Sequence, residues 1–134
     1  MSGSFERRRL RVYIAGPITK GDRFENVTHA IRTGKKMVKD GLAPYIPHFD
    51  AYMTLGGDDI SWNSYLEWDL EWSNLAEAVF RLPGESTGAD LEVRHALEHD
   101  IPVFYEGGED VTLDGGYRGL MAYATSRNLT GVRV

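Results

Sequence analysis

The sequence predicts an α/β domain built on a parallel sheet with helices on both faces. Three observations carry this reading. Short β-rich apolar runs stop at Gly or Pro, amphipathic stretches at three- and four-residue spacing lie between them, and the two alternate along the chain. Leu10 to Ala15 is a buried first strand, ended by Gly16-Pro17. Phe24 to Lys39 is helical. Val27, Ala30, Ile31, Gly34, Met37 and Val38 recur on one side, and Lys35, Lys36 and Lys39 sit where the helix dipole favours cations. Gly41 is its stop. Leu42 to Phe49, broken by Pro44 and Pro47, reads as a strand ending at Pro47-His48, and Ala51 to Asp59 reads as a mobile loop. Asp59 or Ser61 caps a helix from Trp62 to Glu77, with Trp62, Tyr65, Leu66, Asp69, Trp72 and Leu75 near one face. Ala78 to Leu82 is the third strand, stopped by Pro83-Gly84, and Ser86 or Thr87 opens a helix through His99. Ile101 to Tyr105 is a fourth strand, Tyr117 to Arg127 is helical, and Val132 to Val134 is a last short strand, about five in all. Residues 1–9 are polar and expected to be flexible, leaving 10–134 as one domain.

Composition narrows the function. The 134 residues are 42% hydrophobic and 26% charged, which suits one soluble core. A net charge of −5 argues against a nucleic-acid polymer or an anionic membrane surface as partner. The absence of cysteine excludes disulfides, thiolate metal sites and a cysteine nucleophile. No apolar run approaches the ~20 residues of a membrane span, and Arg7, Arg8 and Arg9 precede no signal-like segment. The expectation is a cytoplasmic enzyme or binding module for a small molecule.

In parallel sheets ligands bind beyond the carboxyl ends of the strands. That directs attention to Gly16–Gly21, Pro47–Asp50, Pro83–Glu92 and Glu106–Asp110. In the third of these a strand, a tight turn and a helix start follow one another. Free amides at a helix start attract anions and hydroxyls. Ser86 and Gly88 let a ligand approach the backbone, and Glu92, one turn in, can lean over the strand ends. The plainer reading makes Ser86 a cap and Glu92 a solvated helix residue. Tyr65 and Asp69, four apart, share a face among three tryptophans. Burial there would raise the Asp69 pKa and let it hold a proton near neutral pH; the plainer reading is an aspartate paired locally in an aromatic core. The loop Gly16-Pro17-Ile18-Thr19-Lys20-Gly21 matches neither common phosphate-loop pattern and signals close backbone approach. His95-Ala96-Leu97-Glu98-His99 fits an H-x-x-E-H zinc pattern but lacks a third ligand, and a helix C-terminus suits both histidines. No metal or cofactor is expected.

The ordered set Tyr13-Ile14-Ala15-Gly16-Pro17, Ile46-Pro47-His48, Tyr65-x-x-x-Asp69-Leu70-Glu71-Trp72, and Leu82-Pro83-Gly84 leading to Ser86-x-Gly88-x-x-x-Glu92 resembles the nucleoside 2-deoxyribosyltransferase superfamily. That superfamily includes the deoxynucleoside 5′-monophosphate N-glycosidases and small phage and bacterial members. The resemblance implies a doubly wound, flavodoxin- or Rossmann-like domain that cleaves the N-glycosidic bond of a deoxynucleoside or its monophosphate. It implies Glu92 as nucleophile, Asp69 as manager of the leaving-group proton and Tyr13 as the residue orienting Glu92. Gly16, Pro17, Ile18, His48, Tyr65, Ser86 and Gly88 would bind substrate. Where the monophosphate-cleaving branch carries a Ser and an Arg, this chain has Pro17 and Thr19, closer to the nucleoside enzymes, although Lys20 and Arg23 could reach a phosphate. The chemistry agrees: a carboxylate stabilises oxocarbenium character at the anomeric carbon, and a second carboxyl protonates the departing base. Members commonly complete their pocket with a neighbouring subunit, so a homo-oligomer is expected, with Tyr52, Met53 and the aromatic helix as apolar surface. The competing reading is a non-catalytic nucleotide-binding module of the same fold.

Overall fold

A computed structural model of the chain describes residues 8–107 and 116–131. Four parallel strands, β1 (Arg11–Ala15), β2 (Ala43–Tyr45), β3 (Ala78–Arg81) and β4 (Val103–Tyr105), pair in the order β2-β1-β3-β4. Tyr13 stands level with Tyr45 on one side and Val79 on the other, and Ala15 with Arg81. The helices are α1 (Arg23–Lys39), α2 (Trp62–Ser73), α3 (Thr87–Glu98) and α4 (Gly116–Ser126).

Strand alternation explains the two-sided core. Val12, Ile14 and Phe80 point to one face, where they meet Ala30 and Met37 of α1 and Leu120 and Ala124 of α4. Tyr13, Ala15 and Val79 point to the other, against Ala89 and Ala96 of α3. On that second face Trp72 of α2 continues a ring stack, Tyr13 on Tyr45 at 5.7 Å and Tyr45 on Trp72 at 5.6 Å. Both faces are covered, so the sheet is doubly wound as expected.

The starts of α1, α2 and α3 have side-chain caps. Asp22 accepts from the Glu25 amide at 3.2 Å, Ser61 from Ser64 at 3.1 Å and Ser86 from Ala89 at 3.1 Å. Such caps are worth ~1 kcal/mol each. Gly41, at φ +91°, turns the chain out of α1 in the left-handed region and back into the sheet.

The structure revises several expected boundaries. β2 is only three residues long; it is an edge strand, where Pro44 is tolerated. Pro47–Gly56 is a 3₁₀ helix, not the end of a strand followed by a mobile loop. α2 stops at Ser73, because the chain must turn to bring Glu77 to Arg8 and to the Arg11 amide at 3.1 Å. Four strands are present among the described residues rather than about five; the expected last strand, Val132–Val134, lies outside them. Residues 1–7 of the expected flexible N-terminus also lie outside. Arg8 and Arg9 are held: Arg8 forms a two-pronged pair with Glu77 at 2.6 and 2.7 Å, and Arg9 donates to the Val38 carbonyl at 2.8 Å. Among the described residues no helix is long and apolar enough to cross a membrane.

Candidate active site

The strand order runs outward from β1 to β2 and then reverses to β3. The crevice outside the carboxyl ends of β1 and β3 is therefore the switch point where ligands bind in such sheets. A cavity of about 290 Å³ lies there. Gly16 forms its floor just after β1, Asp50 comes from the 3₁₀ helix, Tyr65 and Asp69 from α2, and Ser86, Gly88 and Glu92 from the start of α3. Small residues keep the floor open. A Cβ on Gly16 would come within 2.8 Å of the Leu82 Cβ, so only glycine allows β1 and β3 to emerge side by side. Gly84 sits at φ +114° with Pro17 packed against it, which sharpens the turn from β3 to α3. Arg81 braces that turn: its guanidinium donates to the Leu82 carbonyl, to the Gly84 carbonyl at 2.9 Å and to Asp90 at 3.0 Å.

Glu92 is buried, and its Oε2 accepts a hydrogen bond from the Tyr13 hydroxyl. Burial pushes the Glu92 pKa up to about 7; the Tyr13 hydrogen bond and the Arg81 charge oppose this, while the Asp50 charge adds to it. Burial, together with the negative charge of Glu92 and Asp69, raises the Tyr13 hydroxyl well above its ordinary value, so it stays a donor. Asp69 is also buried, and its carboxyl lies within hydrogen-bonding reach of that of Asp50. Burial first, then the contact with Asp50 and the charges of Asp50 and Glu92, lift Asp69 far above the usual carboxylate range. Two carboxyl groups at one cavity thus have different proton demands: Asp69 keeps a proton at neutral pH, and Glu92 can give one up.

Residues 10–105 match the family described as Domain of unknown function (DUF4406). The chain belongs to this family. Its fold is shared with solved structures of low identity. One is a 2-desoxiribosyltransferase from Leishmania mexicana, with TM-score 0.54 and 15% identity, covering 72% of this chain and 63% of that one. Another is a 2-deoxyribosyltransferase from Bacillus psychrosaccharolyticus, with TM-score 0.62 and 18% identity, covering 92% and 99%. A third is a conserved protein from Enterococcus faecalis V583, with TM-score 0.60 and 15% identity, covering 94% and 82%. No protein of curated function matches the sequence.

In this DUF4406 chain the cavity gathers Gly16, Ile18, Tyr65, Asp69, Ser86, Gly88 and Glu92 from the expected set. Tyr13 lies behind Glu92 with no exposed surface. Pro17 packs on Gly84 and is not part of the lining. His48 is fully buried beside the cavity wall, its ring making no complete hydrogen bond among the described residues. Burial lowers its pKa to about 4, against the opposing pull of the Pro17 carbonyl. Sequence reasoning passed over Asp50, although the strand-end rule pointed at its segment. Arg23, Asp59 and Trp62 also line the cavity. Asp59 accepts from the Tyr65 hydroxyl, which raises that phenol to about 12. Trp62 and Trp72 are about half exposed, and no tryptophan belongs to the core clusters. Glu106 does not line this cavity and is paired with His29 at 2.6 Å. Among the described residues no cluster of three His, Asp or Glu could hold a metal. His95 is engaged with the Asn74 side chain, and the His99 ring donates to the His95 carbonyl at 2.8 Å.

Proposed function

We propose that this chain cleaves the N-glycosidic bond of a 2′-deoxynucleoside by a retaining, two-step displacement. The supporting observation is the pair of buried carboxyl groups with divergent proton demands at one cavity, Glu92 beside the Tyr13 hydroxyl and Asp69 beside Asp50. In the first step a Glu92 carboxylate oxygen attacks the anomeric carbon. The carbon–nitrogen bond breaks, its electron pair goes to the base nitrogen, and the Asp69 proton is delivered to the departing base. A deoxyribosyl-glutamate ester remains. A second base or a water then attacks the same carbon, the ester bond breaks toward Glu92, and the attacking group's proton returns to Asp69. The choice of acceptor makes the protein a transferase or a hydrolase.

The 5′ side favours a free hydroxyl over a phosphate. With Asp69 protonated, the lining still carries Asp50, Asp59 and Glu92 against one arginine among the described residues, Arg23. Lys20, another cation near this loop, is paired with Glu85 at 2.8 Å. A phosphate dianion in that field would meet net repulsion. The volume lies at the low end of ligand pockets (~300–1,000 Å³) and suits a single nucleoside. Tyr52, Met53, Leu55 and Trp62 leave an apolar rim exposed beside the mouth. A second copy covering that rim would close the cavity, and we infer a homo-oligomer on this ground.

The test is incubation of the protein with deoxynucleosides and their 5′-monophosphates, with and without a second free base. Base release without an acceptor identifies a hydrolase, and exchange only with an acceptor identifies a transferase. No turnover of any substrate would leave the non-catalytic binding module as the function.

A further inference from the structure

Asp50 enters the cavity from the 3₁₀ helix, and its carboxyl meets that of Asp69 on α2. Both side chains are buried. Asp50 Oδ2 and Asp69 Oδ1 receive no hydrogen bond from any described donor. Two ionised carboxylates cannot remain in such contact, since each would be both desolvated and repelled. A single proton between them removes the repulsion and supplies the missing donor. We propose that Asp50 is a positioning residue for the acid of this site: its ionised carboxylate accepts the Asp69 proton, holds it on Asp69 and fixes the side chain that presents it to the leaving base.

The assignment of roles within the pair follows from their surroundings. The Glu92 charge on α3 adds to the reasons for Asp69 to be the neutral partner. Asp69 is the more deeply buried of the two, so keeping it neutral avoids the larger desolvation cost. The other titratable groups facing the pair are phenols: Tyr13 on β1, Tyr45 on β2 and Tyr65 on α2. Each is held above its ordinary pKa and is neutral in the range where the pair titrates. Arg23 and Asp59 stand further out on the lining, and neither bonds to the pair among the described contacts. The acceptor for the Asp69 proton is therefore Asp50. Delivering that proton to the base leaves the pair doubly ionised, which favours recapture of a proton when the acceptor attacks in the second step.

This inference rests on the proposed glycosidic chemistry for its meaning, but its test does not need turnover. Asp50→Asn keeps the size of the side chain while removing the charge and offering an N–H to Asp69. Both changes favour ionised Asp69. A ¹³C-carboxyl NMR titration of the full chain should show Asp69 titrating well above the ordinary carboxylate range in the wild type, and at least one pH unit lower in Asp50→Asn. In a cleavage assay, the alkaline limb of kcat/KM should move down by the same amount, a loss of about tenfold or more on that limb. The acidic limb should move less, because Glu92 senses Asp50 only through space. An Asp69 titration unchanged in Asp50→Asn overturns the proposal. If that variant does not fold, the wild type still decides: two carboxyls titrating independently in the ordinary range overturn it. The shift in titration without turnover of any deoxynucleoside would support the shared proton and refute the glycosidic reading.

Discussion

Replacing Tyr13 by Phe removes one hydroxyl and leaves the ring stack on Tyr45 in place. The consequence falls on Glu92, whose Oε2 accepts from that hydroxyl. A hydrogen bond to a charged group is worth ~1.5–3 kcal/mol, and one pKa unit corresponds to ~1.36 kcal/mol. Losing the bond therefore raises Glu92 by about one to two units, from about 7 to roughly 8–9. At pH 7 about half of the wild-type protein carries an ionised Glu92. In Tyr13→Phe that fraction falls to about a tenth or a hundredth, so kcat/KM falls by roughly five- to fiftyfold. The loss should shrink as pH rises through the new value, until Asp69 begins to lose its own proton. The assay is base release from a deoxynucleoside, followed as a pH profile of kcat/KM. An acidic limb at the same pH in wild type and variant would refute the reasoning, whatever the change in absolute rate.

Other expectations follow from the same geometry. Asp69→Asn abolishes the transferable proton and should lower turnover by ~10²-fold or more with an unchanged circular dichroism spectrum; wild-type rates would remove its role as acid. Glu92→Gln should stabilise the fold at alkaline pH. The folded protein holds the Glu92 proton from the ordinary value near 4.5 up to about 7, so wild-type stability falls as pH rises through that window. The penalty above it is about 3 kcal/mol. The variant's Tm should exceed that of wild type by several degrees at pH 8 and match it at pH 4, and a difference independent of pH would contradict this. Gly16→Ala forces its Cβ to 2.8 Å from the Leu82 Cβ, a contact with the stem of the side chain and not its flexible end. Overpacking of this kind costs ~1–3 kcal/mol, so denaturant titration should show a lower midpoint; an unchanged midpoint would mean that β1 and β3 are free to spread.

The parts of this fold that were legible in the sequence are those set by local chemistry. Ser86 precedes a helix at a strand-ending Pro-Gly turn, and it caps α3 as that order requires. Gly41 follows a lysine-rich last turn and ends α1. The alternation of strands and helices gives the doubly wound sheet, and its strand-end rule leads to Glu92, while Asp69 is marked by its place one turn from Tyr65 among tryptophans. The less legible parts depend on contacts across the chain. The 3₁₀ path of Pro47–Gly56 carries apolar residues that stay exposed, such as Leu55 and Tyr52, so no periodicity marks it. Asp50 is an ordinary polar residue until that path brings it to Asp69. Arg8 looks like part of a polar tail because Glu77, its partner, lies 69 positions away. The tryptophans of α2 suggest a buried face, yet Trp62 borders the cavity and Trp72 extends a stack at the sheet edge. In the remaining expected set, Pro17 and His48 have neighbours that shape the wall, and the sequence alone does not separate a wall from a lining.

The most direct measurement is mass spectrometry of the protein quenched in acid during incubation with a deoxynucleoside and no acceptor base. The account predicts a gain of one deoxyribosyl unit, mapped to the peptide bearing Glu92 and absent from Glu92→Gln. Turnover by a Glu92→Gln protein at the wild-type rate, with no adduct on the native chain, would contradict it.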